Sequence, residues 1–371
     1  MISAQNLMAS VRPLLASMIT MPMGRLNELI ADVERSFQTP QVGPYHCEGP
    51  FMGSHLVGVA NTVDDVGRGE FHPNVPYEVR PFMVAAARTR AVIAGAHVLL
   101  HDVDKLTTMT FVYADGRKVP VSYDEWVALL ETDSDGPAIR EGDGPALERF
   151  CARHGVTQIS YYQEAEGGKI SHGKKAADRL RDYAELLLVN GIETHEVAFL
   201  FGDRGGINLP LFHEHFGDWS EGDVAYALVV NYADQMGSLK ADGQPDISDF
   251  RWFARTWRAY VAFQVVKANL AGLRLDTHKA SRLMDVLWKS ADAFQQETAD
   301  DVLARIRAEC ELRSFSEERI RAALMPVVWL SSELADAIVA DMVRDGKLSS
   351  ETGKKLGAHN KPVRAALAGL A

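Results

Sequence analysis

Residues 94–105 read AGAHVLLHDVDK. From Ala94 to Leu100 the string is apolar apart from His97, as a buried helix requires, and it stops on adjacent His101 and Asp102, with Lys105 one turn further on. An imidazole and a carboxylate side by side at a helix end can offer a nitrogen and an oxygen to one cation. Such a mixed site suits Mn, Fe, Ni, Co or Zn. A His-Asp dipeptide alone is a weak signal, so its neighbours decide its meaning.

Upstream lies PYHCEGPFMGSHLVGVANTV (Pro44 to Val63), in which His55 opens an amphipathic helix behind a glycine-containing turn. Downstream lies ALVVNYADQMGSL (Ala227 to Leu239), where Asp234 sits among the apolar Val229, Val230, Ala233 and Leu239. A carboxylate on such a helix is costly to bury unless a cation or hydrogen-bond partner compensates it. The chain therefore carries, in order, a histidine, a His-Asp pair and an aspartate.

With SHGKKAADRL (Ser171 to Leu180) between the last two, these strings resemble the HD superfamily of metal-dependent phosphohydrolases. The resemblance covers roughly Pro44 to Leu239 and implies an all-α fold, an HD-domain helical bundle. It assigns His55, His101, Asp102 and Asp234 as metal ligands, and Lys105 as the lysine that follows the pair. His172 matches the next histidine, which faces the same cavity in dinuclear or substrate-binding members. Asp102, Lys105 and His172 are then the catalytic candidates, and the cofactor is one or two divalent ions, Mn, Ni, Fe, Co, Zn or Mg.

Two departures leave alternatives open. The interval from His55 to His101 is long, with Asp65 to Pro81 looking inserted, so His72, and less directly His46 or His97, compete as first ligand. Where relatives carry a fourth histidine this chain has VAFLFGDRGG. His195 could enter the site, Asp203 could replace the histidine, or the second ion is absent. His213 and His215 form a further H-x-H pair.

The resemblance implies hydrolysis of a phosphate ester, the partner being a nucleotide or a short nucleic-acid end. GPYHCEGPFMGSHLVGV is similar to HD domains attached to tRNA nucleotidyltransferases. A fainter similarity, through YADGR and GDRGG, leads to HD-type conjugative relaxases acting on DNA. An HD-fold di-iron oxygenase, which requires His195, and a non-catalytic nucleotide sensor are the other readings.

Composition bounds these readings. The 371 residues carry 39 Lys+Arg against 50 Asp+Glu, a net charge of −11, which disfavours a protein that coats nucleic acid through many phosphate contacts. Cys47, Cys151 and Cys310 are too few and too scattered for a disulfide framework or a cysteine zinc site, which fits a reducing cytoplasm. No stretch of about 18 apolar residues exists, and Leu14 to Met23 reads as core helix rather than signal peptide, so no membrane partner is expected. Oligomeric state is not encoded in any motif.

Helical spacing recurs in Leu7 to Phe37, His55 to Val66, Phe82 to His101, Lys174 to Leu188, Asp223 to Leu239, Phe250 to Leu273 and Ala280 to Arg313. Met109 to Val121 breaks the pattern as a β-hairpin around Ala114 to Arg117. Glu131 to Gly144 (ETDSDGPAIREGDG) is expected as an exposed acidic loop, and Glu164 to Lys169 as a second loop. The expected organisation is an N-terminal helical segment (1–43), an HD domain (44–240) with an insertion at 106–170, a break at Lys240 to Pro245, and a helical C-terminal domain (246–371). That last part ends in a locally basic tail, and its aromatic run Phe250, Trp252, Phe253, Trp257, Tyr260 and Phe263 reads as a core face.

Overall fold

Helix initiation and termination follow local chemistry. In this computed structural model, which describes residues 2–43, 46–77, 79–165, 168–195 and 220–245 with Phe250, Phe253 and Trp257, α1 (Ala4–Met18) starts where the Ser3 hydroxyl accepts from the Asn6 N–H. The expected single helical run to Phe37 is broken. Pro22 takes an extended conformation and α2 (Met23–Ser36) begins after it. Next comes α3 (Met52–Arg68), whose fourth residue is His55; it stops at Gly69, which adopts φ 85°.

The run expected from Phe82 to His101 is likewise two helices, α4 (Arg80–Thr89) and α5 (Ala91–Leu100). The direction turns by 87° at Arg90. After His101 the chain makes a tight turn through Asp102 to Asp104 and a short helix, α6 (Lys105–Thr108). Among the described residues no single helix is long and apolar enough to cross a membrane.

The hairpin expected at Met109 to Val121 is present as β1 (Met109–Tyr113) and β2 (Lys118–Pro120), and it belongs to a larger sheet. Strands β3 (Val156–Ala165) and β4 (Gly168–Ser171) complete an antiparallel order β2-β1-β3-β4. The register pairs Met109 with Tyr161 and Phe111 with Ile159. Within the loop expected over Glu164 to Lys169, Glu164 and Ala165 belong instead to the end of β3, and Gly168 and Lys169 to the start of β4.

Glu131 to Gly144 is corrected from an exposed loop to a partly helical, partly buried segment. It holds the end of α7 (Tyr123–Thr132), then α8 (Gly136–Arg140), with Gly136 and Ile139 buried. The acidic composition misled because its charges are matched from α9 (Gly144–His154): Arg149 and Arg153 pair with Asp135, each at 2.6 Å, and His154 reaches Asp133 at 2.9 Å. Gly136 is required there, since a β-carbon would run into the Leu130 carbonyl. A capping box between Ser122 and Glu125 starts α7.

Among the described residues the remaining helices are α10 (His172–Leu180), α11 (Leu186–Thr194) and α12 (Glu221–Gly237), and two apolar cores result. One joins Val11, Leu29, Leu56, Leu99, Ala177, Ile192 and Ala233, so α1 and α2 share a core with the helices around His55 and His101. The other packs Phe111 of the sheet on Trp126 and Trp126 on Phe150, with ring centroids 5.9 Å and 5.2 Å apart respectively in edge-to-face geometry. Compactness divides the chain into 1–198 with 221–250, and 199–220 with 251–371. Apart from Ser220, Phe253 and Trp257, the second unit, including nearly all of the expected C-terminal domain and its basic tail, lies outside the described residues.

Candidate metal centre

Apolar burial delivers the first donors. Ala94, Ala96, Val98, Leu99 and Leu100 are fully or nearly fully buried, which anchors α5 and fixes His101 at its C-cap. The His101 Nδ1 faces the carbonyls of His97 and Val98, both at 3.1 Å. A carbonyl only accepts, so Nδ1 carries the proton and the Nε2 lone pair points inward. From α3, His55 Nε2 arrives 3.3 Å from His101 Nε2. Asp234 of α12 places Oδ1 at 3.1 Å from His55 Nε2 and 3.6 Å from His101 Nε2. Asp102 Oδ2 stands 3.5 Å from each of the same nitrogens.

Asp234 Oδ1 and Asp102 Oδ2 thus each lie about one donor spacing from the facing pair of imidazole nitrogens, donors of the type a borderline cation prefers. Metal–ligand bonds of roughly 2.0–2.2 Å place adjacent donors about 3.0–3.5 Å from one another, so the set fits a single ion. The buried His/Asp cluster can bind a metal ion.

A second group shares Asp102. Its other oxygen, Oδ1, is 2.9 Å from His172 Nε2 and 3.9 Å from His195 Nε2, and the two nitrogens are 3.3 Å apart. Each ring is again oriented from behind: His172 Nδ1 faces the Tyr161 carbonyl at 3.1 Å, and His195 Nδ1 the Ile192 carbonyl at 2.5 Å. The sheet sets the first of these contacts, because β3 carries Tyr161 and β4 runs directly into His172. Ser171 caps α10 by accepting from the Lys174 N–H. Asn231 of α12 donates to the His195 carbonyl at 2.9 Å. Asp102, His172 and His195 also form a group capable of holding an ion.

Charge balance is local. Lys105 Nζ lies 2.7 Å from Asp102 Oδ2, both side chains almost fully buried. Burial opposes the Asp102 charge, but Lys105, His101 and His172 outweigh it and hold its carboxyl well below the usual carboxylate range. Asp234 behaves alike, burial being overcome by the neighbouring His101 and His55 rings. For His55, burial disfavours the cation, and Asp234 and Asp102 reverse this, so its pKa rises above 6.5. His97 goes the other way: burial, then His101 and His195, push it well down.

Of the sequence candidates, the fold brings together His55, His101, Asp102, Lys105, His172, His195 and Asp234. His97 is not among the donors; it stacks flat behind His101 at 5.3 Å, and neither of its ring nitrogens has a hydrogen-bond partner. His72 is elsewhere, its N–H donating to the Tyr232 hydroxyl and its ring against Phe250. Asp203, His213 and His215 lie outside the described residues. His46 flanks the site with its ring 5.4 Å from that of His55. Glu48, which the sequence reading passed over inside the quoted string YHCEGPF, lies with Oε1 3.0 Å from His46 Nδ1 and 3.6 Å from His55 Nδ1. Its only sequence signal was a carboxylate seven residues before the first ligand.

No family model, curated protein or solved structure matches the chain.

Proposed function

We propose that the protein hydrolyses a phosphate ester, a phosphodiester or phosphomonoester of a nucleotide or nucleic-acid end, with divalent ions that two donor groups, each including Asp102, would hold. The observation that carries this reading is the division of the Asp102 carboxylate, with Oδ2 turned to His55 and His101 and Oδ1 turned to His172 and His195. His55, His101, Asp102 and Asp234 would hold one ion, and Asp102, His172 and His195 the other. Divalent ions there supply Lewis acidity toward phosphoryl oxygens and activate water for attack on phosphorus.

The protein's own groups complete the chemistry. Lys105, a buried ammonium beside Asp102, adds positive charge where a phosphoryl group gains negative charge. With an ion bound, His172 would keep its proton on the Tyr161 side and offer Nε2 as a ligand atom. The backbone carbonyls behind His101, His172 and His195 would hold the Nδ1 proton of each ligating ring in the same way. The acidic net charge is compatible with a small ester or a strand end.

Metal analysis of purified protein, followed by bis-p-nitrophenyl phosphate, p-nitrophenyl phosphate, nucleotides and single-stranded DNA or RNA with Mn, Ni or Mg, tests the proposal. Metal-dependent release of phosphate or nitrophenol is expected; bound metal with no hydrolysis of any ester would sink it. One observation favours a second reading: His195, which an HD-fold di-iron oxygenase requires, does stand against His172. Oxygen consumption by the iron-loaded protein, with no ester hydrolysis, would select that reading.

A further inference from the structure

We propose that Glu48 is a positioning residue that holds the His55 Nδ1 proton and thereby aims the His55 Nε2 lone pair at the metal site. This rests on the metal reading of the cluster. His101, His172 and His195 each have a backbone carbonyl behind the ring, whereas His55 Nδ1 is buried and has no hydrogen-bond partner among the described residues. Among the described residues the one carboxylate paired with that nitrogen is Glu48, its Oε1 3.6 Å away. That is longer than a hydrogen bond, and a shift of about half an ångström closes it.

The surroundings suit the role. The Glu48 side chain is only 6% exposed, and its Oε2 accepts from the Leu239 N–H at 3.0 Å. The adjacent Cys47 N–H donates to the Leu239 carbonyl at 2.7 Å, which locks the 46–48 segment to the chain just beyond Asp234. Gly237 leaves the space beside Nδ1 open; a β-carbon there would sit 3.3 Å from that atom. Burial works against the Glu48 charge, and the His46 hydrogen bond and nearby His55 outweigh it, so the carboxyl stays below its ordinary range. Neutral imidazole must keep one proton when its other nitrogen binds a cation, and a buried N–H needs an acceptor.

The test is a Zn²⁺ titration of wild type and Glu48→Gln against a competing chromophoric chelator. The amide keeps the size of the side chain and an oxygen for the Leu239 N–H while removing the charge. The expected result is a roughly 10–100-fold weaker dissociation constant for one binding event, with the other unchanged within about threefold. Equal affinities in both proteins overturn the role of Glu48 alone, whereas a wild type that takes up no divalent ion overturns the metal reading itself. Equal weakening of both events assigns Glu48 a general structural role and also overturns the proposal. If Glu48→Gln does not fold, histidine-selective ¹⁵N NMR of zinc-loaded wild type decides. The proposal requires His55 protonated at Nδ1 and ligated through Nε2; ligation through Nδ1 overturns it, as does an extra zinc shared by His46, Glu48 and His55.

Discussion

Gly58 of α3 and Gly237 of α12 touch backbone to backbone: a β-carbon on Gly58 would lie 3.2 Å from the Gly237 Cα. The two helices carry His55 and Asp234 respectively, so their close approach sets the 3.1 Å separation of those donors. Gly237→Ala puts a methyl 2.7 Å from a Val59 methyl and 3.1 Å from the Val59 backbone nitrogen. The expected cost is about 1–3 kcal/mol of stability, read from denaturant midpoints, with weaker metal binding besides. Gly67→Ala, on α3 with open space around it, should lower neither.

Because Asp102 faces both donor groups, its loss differs in kind from loss of a single-site ligand. Asp102→Asn is expected to remove both ions and His172→Ala only one, as counted by plasma emission spectroscopy on desalted protein. Turnover should fall by on the order of 10²-fold or more for Asp102→Asn. Retention of two ions by Asp102→Asn would contradict the bridging arrangement.

Lys105→Met leaves the buried Asp102 carboxylate without its nearest cation. In EDTA the variant should be destabilised by about 3–5 kcal/mol, the usual result of removing one member of a buried pair. Adding Mn²⁺ or Zn²⁺ should recover part of the loss, since a cation then faces the same carboxylate. Urea unfolding with and without metal measures the difference.

Acid should weaken metal binding from above pH 6.5. His55 has its folded pKa raised, so in metal-free protein it gains a proton at a higher pH than free histidine does. An incoming ion must displace that proton; affinity therefore falls as pH drops through the raised value, about tenfold per unit per proton released. In the metal-free protein the sign is opposite: the pairing of His55 with Asp234 and Asp102 stabilises the fold fully below pH 6.5 and is lost as pH rises through the folded pKa. Calorimetric titration in two buffers of different protonation enthalpy reads the released proton directly.

The sequence made the donors legible where chemistry and periodicity coincided. His101 and Asp102 end an apolar helix, and Asp234 stands on one, so each was conspicuous as a polar group in an apolar run. The hairpin around Ala114 to Arg117 was legible because its turn is local. Strand β3 was not, although Val156, Ile159 and Tyr161 supply apolar residues, because its partner β1 lies about 50 residues earlier and nothing local announces that pairing. The acidic stretch after Glu131 was misjudged since its counter-charges come from α9. His195 was ambiguous, its place depending on Asn231 of another helix. Glu48 was missed for a related reason, as its meaning comes from Leu239 and His55 rather than its own neighbours in sequence.

The direct passage from β4 into His172 makes the sheet a mechanical part of the ion site. Opening β3 from β4, or eroding the aromatic core around Trp126, moves the Tyr161 carbonyl and slackens the start of α10 together. Escape of an ion bound by the His172 and His195 pair would then report, as a clock, how often that small sheet unzips, while an ion bound between His55 and His101 would keep time with the helical body.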